Sequence, residues 1–161
     1  MGMEIFLKIN GVDGESKGHG HEDEIDVHSF SLGASNPSSV GTGAGSGAGK
    51  VDISSLSVQK EVDLASAKLF QKCCDGTHFD EATLCVREAG GDAPLEYYVV
   101  KMTQVFVDAV NWGGAAAGPK PGESLTMSFA EVQVDYTAQT ETGAAGKTGQ
   151  GSWNLKTNKA A

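Results

Sequence analysis

Apolar and polar residues alternate along most of this chain in runs of β-strand length. "EIFLKI" (4–9) opens the first strand, and "DEIDVHSFSLG" (23–33) follows a polar turn. From Val51 to Val62 the alternation slips at Ser54-Ser55. Val51 and Ile53 occupy odd positions, and Leu56 and Val58 even ones, which is how a β-bulge reads in sequence. "EATLCVRE" puts Ala82, Leu84 and Val86 on one face, and "LEYYVVKMTQVFVDAVNW" is long and strongly β-forming. "SLTMSFAEVQVDYTAQT" runs on odd positions through Leu125, Met127 and Phe129, then on even ones through Val132, Val134 and Tyr136, so a second bulge is predicted near Ala130-Glu131. "GQGSWNLKT" offers Trp153 and Leu155 to close the sheet. The period changes to a helical one in "DLASAKLFQKCCDG", where Leu69, Phe70, Cys73 and Cys74 recur at helical spacing, Asp63 can cap the start and Gly76 the end. About seven or eight strands and one helix make a mainly β chain, arranged as a sandwich or closed barrel.

Two strands carry more than their length. In the long run from Leu95, both faces are apolar: Leu95, Tyr97, Val99, Val105 and Val107 on one, Tyr98, Val100, Met102 and Phe106 on the other. A sheet with one wet face alternates with polar residues, so this strand calls for cover on both sides, from the helix or from a neighbouring subunit. In "VHSFSL", Phe30 and Leu32 share a face with His28, while Val27, Ser29 and Ser31 share the other. The serines give that face a small, uncharged, polar surface suited to a channel wall.

With 161 residues the chain is long enough for one domain with a real core. A net charge of −9, from 21 acidic and 12 basic residues, argues against nucleic acid and anionic membrane as partners. The N-terminal "MGMEIFLKINGVDGE" lacks the basic and long apolar regions of a secretory signal. The expectation is folding in the cytoplasm, with any export by a route that does not read such a signal. Cys73, Cys74 and Cys85 are an odd number without C-x-x-C spacing, so buried reduced thiols are expected rather than a disulfide framework or zinc site. "GTGAGSGAGKVD" resembles a phosphate loop only superficially. With Gly49-Lys50 in register, Ala44 replaces the first glycine and Val51 the hydroxyl residue, and the β-branched run that follows reads as strand rather than helix. "HGHEDE" (19–24) reads as a solvated acidic loop, and His78 as a packing residue at a strand start. No nucleophile has an evident base, so no catalytic, cofactor or metal residue is assigned.

Laid out in this order, "IFLKINGVDGESK", "DEIDVHSFSLG", "GAGKVDISSLSVQKEVD", "CCDGTHFDEATLCVREAGG", "LEYYVVKMTQVFVDAV" and "LTMSFAEVQVDYTAQ" with a late "SWNL" resemble the Hcp family, the haemolysin-coregulated tube protein of the bacterial type VI secretion system. The likeness covers roughly residues 3–156. It implies a single domain over 1–161: a compact β-barrel of two antiparallel sheets with one flanking helix. It implies a ring of six copies, stacked into a tube inside a contractile sheath, tipped by a spike protein, assembled in the cytoplasm and expelled, with effector proteins in the lumen and no enzymatic activity. Ser29 and Ser31 fall on the family's lumen-facing strand. The charge-free segment within 36–50, including Gly41, Thr42, Gly43, Ala44, Gly45, Ser46 and Gly47, becomes the arm reaching a neighbouring ring. The family often carries bulkier residues around this strand and arm than His28, Phe30, Leu32 and the small residues found here. Two other readings of the residues are a monomeric β-barrel whose apolar faces surround a small ligand and a hydrolase built on the barrel.

Overall fold

The long apolar runs form a two-stranded spine to which every other large strand adds. In the computed structural model, which describes residues 2–37, 50–92 and 94–161, the elements are β1 (Met3–Ile9), β2 (Ile25–Val27), β3 (Ser29–Ser31), β4 (Ala34–Ser35), β5 (Asp52–Ile53), β6 (Leu56–Glu61), α1 (Ser66–Asp75), β7 (His78–Glu88), β8 (Glu96–Gly113), β9 (Gly122–Gln139) and β10 (Ala145–Asn154). All the ladders are antiparallel. One sheet runs β2-β1-β7-β8-β9-β6-β3, with β10 paired to β9 beside that path, and β4 pairs with β5 in a second, two-stranded sheet.

The chain is thus mainly β, with two sheets and one helix. The sheets are unequal, and the main path has two ends. Those ends, β2 and β3, are separated only by His28, whose N–H donates to the carbonyl of Gln59 at 2.8 Å. β10 does not close the sheet as its sequence suggested. It pairs with residues 131–139 of β9, the half that β6 leaves free.

The phase slip at Ser54-Ser55 is a real break. β5 before it pairs with β4, β6 after it pairs with β3 and β9, and the Ser54 hydroxyl ties the break to Gly33 by accepting from its N–H at 2.8 Å. The slip at Ala130-Glu131 has a different cause. Register is unbroken there: Thr103 faces Glu131 and Val105 faces Phe129. The ladder shifts instead between Val107 and Ala109. What changes at Ala130 is the face, and it changes in both strands at one level. Opposite Ala130 sits Gln104, with φ at 54°, a left-handed conformation that turns the following side chains over. Below it Val100, Met102 and Val132 are buried; above it Val105, Val107, Phe129, Met127 and Leu125 are buried.

The two apolar faces read in β8 are therefore largely one. Val100, Met102, Val105 and Val107 join a single core with Leu7, Ile25, Leu56 and Leu84. This removes most of the surplus greasy surface that called for outside cover. It also fills the interior that a ligand-binding barrel needs open.

The helix begins at Ser66, later than the sequence implied. Asp63 caps the turn ahead of it, its carboxylate accepting from the Ala65 N–H at 3.0 Å. Gly76 ends the helix at φ 71°, donating to the Lys72 carbonyl, as its position suggested. Of the four apolar helix positions, Leu69 is fully buried and Cys73 packs on the core, whereas Phe70 and Cys74 are exposed. Phe70 packs against Trp112 in a tilted arrangement, with ring centres 5.2 Å apart. Beneath them the buried Lys60 Nζ lies 2.9 Å from both Glu123 Oε2 and Asp63 Oδ1, and Trp112 Nε1–H donates to Glu123 Oε1 at 2.7 Å. Among the described residues, no helix is long and apolar enough to cross a membrane.

Candidate functional site

β3, β6 and β9 lie side by side, so their registers fix which side chains share a face. Phe30 faces Val58, and Val58 faces Leu125; this row points to the core. The rows on either side point outward. Ser31 faces Ser57, which faces Thr126, and Ser29 faces Gln59, which faces Ser124. The outer surface of three adjacent strands is thus hydroxyl and amide, without a formal charge on either row. Gln59 Nε2–H donates to Ser124 Oγ at 3.0 Å, tying β6 to β9 within one row. Charge begins only at the margins. His28 and Glu61 approach to 3.8 Å at one end. At the other, Asp108 accepts from Ser128 Oγ at 2.9 Å and Ser55 Oγ at 3.3 Å.

Ser29 and Ser31 are exposed, as their alternation with Phe30 implied. The face assignment of the neighbours needs correction. Val27 is buried and His28 exposed, because the chain bends at His28 where it passes from β1 to β6 as partner, and the phase inverts there. The sequence reading missed Ser57, Gln59, Ser124 and Thr126. Their signal was present: small polar residues stand at every second position of "LSVQKE" and "ESLTMS", but only pairing shows that these rows align with Ser29 and Ser31. Gly41, Thr42, Gly43, Ala44, Gly45, Ser46 and Gly47 lie outside the described residues.

A second cluster lies on the outer face of β1 and β7. The loop through residues 12–24 folds over this face, and Gly18 makes the closest approach: a Cβ there would come within 2.8 Å of the Phe6 ring. His21 stacks on Phe6 at 4.4 Å, and the Arg87 guanidinium lies 4.8 Å from the same ring. His21 is buried, which overturns the solvated reading of "HGHEDE" at this residue, while His19 stays exposed. His21 Nδ1 lies 2.9 Å from Glu24 Oε1, Nε2 lies 2.5 Å from Glu96 Oε1, and Cys85 Sγ lies 3.8 Å from Nε2. Of the three cysteines, all free, Cys85 alone is buried, and Cys74 is exposed. Burial, then the charges of Glu96 and Glu24, push the Cys85 thiol up to about 12. At neutral pH it is an uncharged thiol, unsuited to attack a carbonyl despite the neighbouring imidazole. His78 begins β7 and packs against Phe106, with ring centres 5.4 Å apart.

The profile of the family described as type VI secretion system effector, Hcp, matches residues 6–136. The chain is 42% identical to Protein hcp1 of Pseudomonas aeruginosa over 159 residues, covering 98% of each chain. Its fold superposes on a solved structure described as a type six secretion system protein with a TM-score of 0.92, at 32% identity, over 99% of this chain and all of that one. Hcp1 of Salmonella typhimurium superposes with a TM-score of 0.83 at 33% identity over the full length of both chains.

Proposed function

Because the chain belongs to the Hcp family of type VI secretion system proteins, we propose that it is the subunit of a six-membered ring that stacks into the inner tube, and that the hydroxyl face of β3, β6 and β9 lines the ring's lumen. The observation that carries this reading is the breadth of that face: two aligned rows across three strands without a charge. A cargo protein sliding past such a wall exchanges one weak hydrogen bond for another. Each is worth about 0.5–1.5 kcal/mol net, and no charge is stranded when contact is lost. Many such contacts hold an effector without gripping it.

The same reading makes the fold a barrel. β2 and β3 are one continuous stretch of chain, and the bend at His28 carries it from β1 to β6, so the two ends of the sheet path meet in it. It also gives Gly41–Gly47 to the neighbouring ring, since an uncharged glycine-rich arm can settle on a partner surface without burying an unpaired charge. The tube carries a spike at its tip and is driven out by a sheath.

Electron microscopy of the purified protein tests this. Six-fold rings are expected, with Ser31→Arg leaving the rings intact and reducing effector retention, and with shortening of 41–47 weakening stacking. A strictly monomeric protein at its highest soluble concentration overturns the ring. Intact effector retention by Ser31→Arg rings overturns the lumen assignment.

A further inference from the structure

His21, Cys85 and Glu96 converge from three separate parts of the chain, and their donor atoms all lie within 4.8 Å of one another. We propose that these three side chains form a binding site for a soft divalent cation of the zinc class, with Glu24 orienting the histidine and water completing the tetrahedron.

The donor set selects the ion. A thiolate and an imidazole favour zinc-like cations over magnesium or calcium, which take oxygen ligands. The spacing is close to that of a tetrahedral site. With zinc–sulfur near 2.3 Å and zinc–nitrogen near 2.05 Å, sulfur and nitrogen stand about 3.6 Å apart; Cys85 Sγ and His21 Nε2 are at 3.8 Å. Nitrogen and oxygen need about 3.3 Å, so Glu96 must withdraw from its present 2.5 Å. It can do so, because its side chain is half exposed at the start of β8, whereas those of His21 and Cys85 are buried.

The second layer is already in place. A metal-bound histidine characteristically donates its other ring N–H to a carboxylate, which fixes the ring and raises its basicity. His21 has this arrangement: Nδ1 lies against Glu24 Oε1 at 2.9 Å, leaving Nε2 for the ion, and stacking on Phe6 fixes the plane of the ring. The thiolate, Glu96 and Glu24 carry three negative charges, of which a dication offsets two; the adjacent Arg87 guanidinium is already paired with Glu4 at 2.7 Å. On binding, the Cys85 S–H bond breaks, the proton leaves to water and the sulfur–metal bond forms. The ion then clips the 12–24 loop to β7 and β8.

The test is titration of the untagged, full-length, chelator-treated protein with Co²⁺, followed by competition with Zn²⁺. The proposal expects one equivalent of Co²⁺ to produce a sulfur-to-cobalt charge-transfer band that Zn²⁺ abolishes. The band should persist in the Cys73→Ala/Cys74→Ala variant and vanish in Cys85→Ser. Glu24→Gln should weaken Co²⁺ binding ten- to a hundredfold, and Glu96→Ala at least as much. Absence of the band, its survival in Cys85→Ser, or its loss with Cys73 and Cys74 overturns the site. Should Cys85→Ser fail to fold, Glu96→Ala decides, since that residue is half exposed: affinity within twofold of the parent protein is also contradictory.

Discussion

The two halves of the β8–β9 ribbon are built from the same pair of strands in one unbroken register across Gln104, yet they present opposite surfaces. Above Gln104 and Ala130, the outward positions of β9 are Ser124, Thr126 and Ser128. Below them, the outward row is Thr103 beside Glu131, Lys101 beside Gln133, and Val99 beside Asp135. The outward β9 row of the upper half is neutral and continues into β6 and β3, with Asp108 of β8 at its margin. The lower half is charged and leads toward the His21 cluster. One residue in a left-handed conformation separates them. A single inversion lets one continuous apolar core serve both halves, while the surfaces they expose differ completely in chemistry.

The largest break in this comparison should come from beneath the upper half. Glu123→Leu leaves Lys60 buried beside only the partly buried Asp63, and is expected to cost about 3–5 kcal/mol in chemical denaturation; adding Lys60→Met should recover much of that loss. Next comes the inversion itself. Gln104→Val puts a β-branched residue at φ 54° and is expected to cost about 1–2 kcal/mol, with Gln104→Gly close to neutral on the same denaturation curve. A comparable cost for both variants would show that the backbone conformation is not what matters there.

The cluster beside the lower half, where Cys85 of β7 pairs with Val99 of β8, gives a pH signature. Cys85 has its folded value raised from 9.0 to about 12, so the folded state holds this proton more tightly than the unfolded state does. The stability it contributes is full below pH 9 and is lost as pH rises toward 12. Thiol labelling at pH 8 should modify Cys74 and spare Cys85 until the chain is unfolded. Rapid labelling of all three cysteines in folded protein would contradict the placement of Cys85. The smallest change in stability belongs to Ser31→Arg, within about 0.5 kcal/mol, because the side chain projects from an exposed face. Its consequence should be read in effector retention, not in melting.

Much of the fold was legible because alternation reports burial directly. Val58, Leu84, Leu125 and Met127 all stand where the pattern put them, and Gly76 ends the helix that Leu69 anchors. What could not be read was the meaning of a phase slip. A glutamine gives no warning of a left-handed backbone, so the inversion at Gln104 read as two apolar faces in β8 and as a bulge in β9. The site was legible in part for a similar reason. Ser29 and Ser31 declared themselves by spacing, but Ser57 and Thr126 join them only through pairing. His21 was invisible as anything but a loop residue, since Cys85 and Glu96 lie 64 and 75 positions away along the chain. Local pattern carries no information about contacts at that distance.

In the proposed ring, the neutral face of β3, β6 and β9 is the inner wall. The most direct measurement is a cryo-electron microscopy reconstruction of the assembled protein in which side chains are resolved. Six copies around a central hole are expected, with Ser29, Ser31, Ser57 and Thr126 bordering it. A ring with these residues on its outer circumference, or particles that never close into rings, would contradict it.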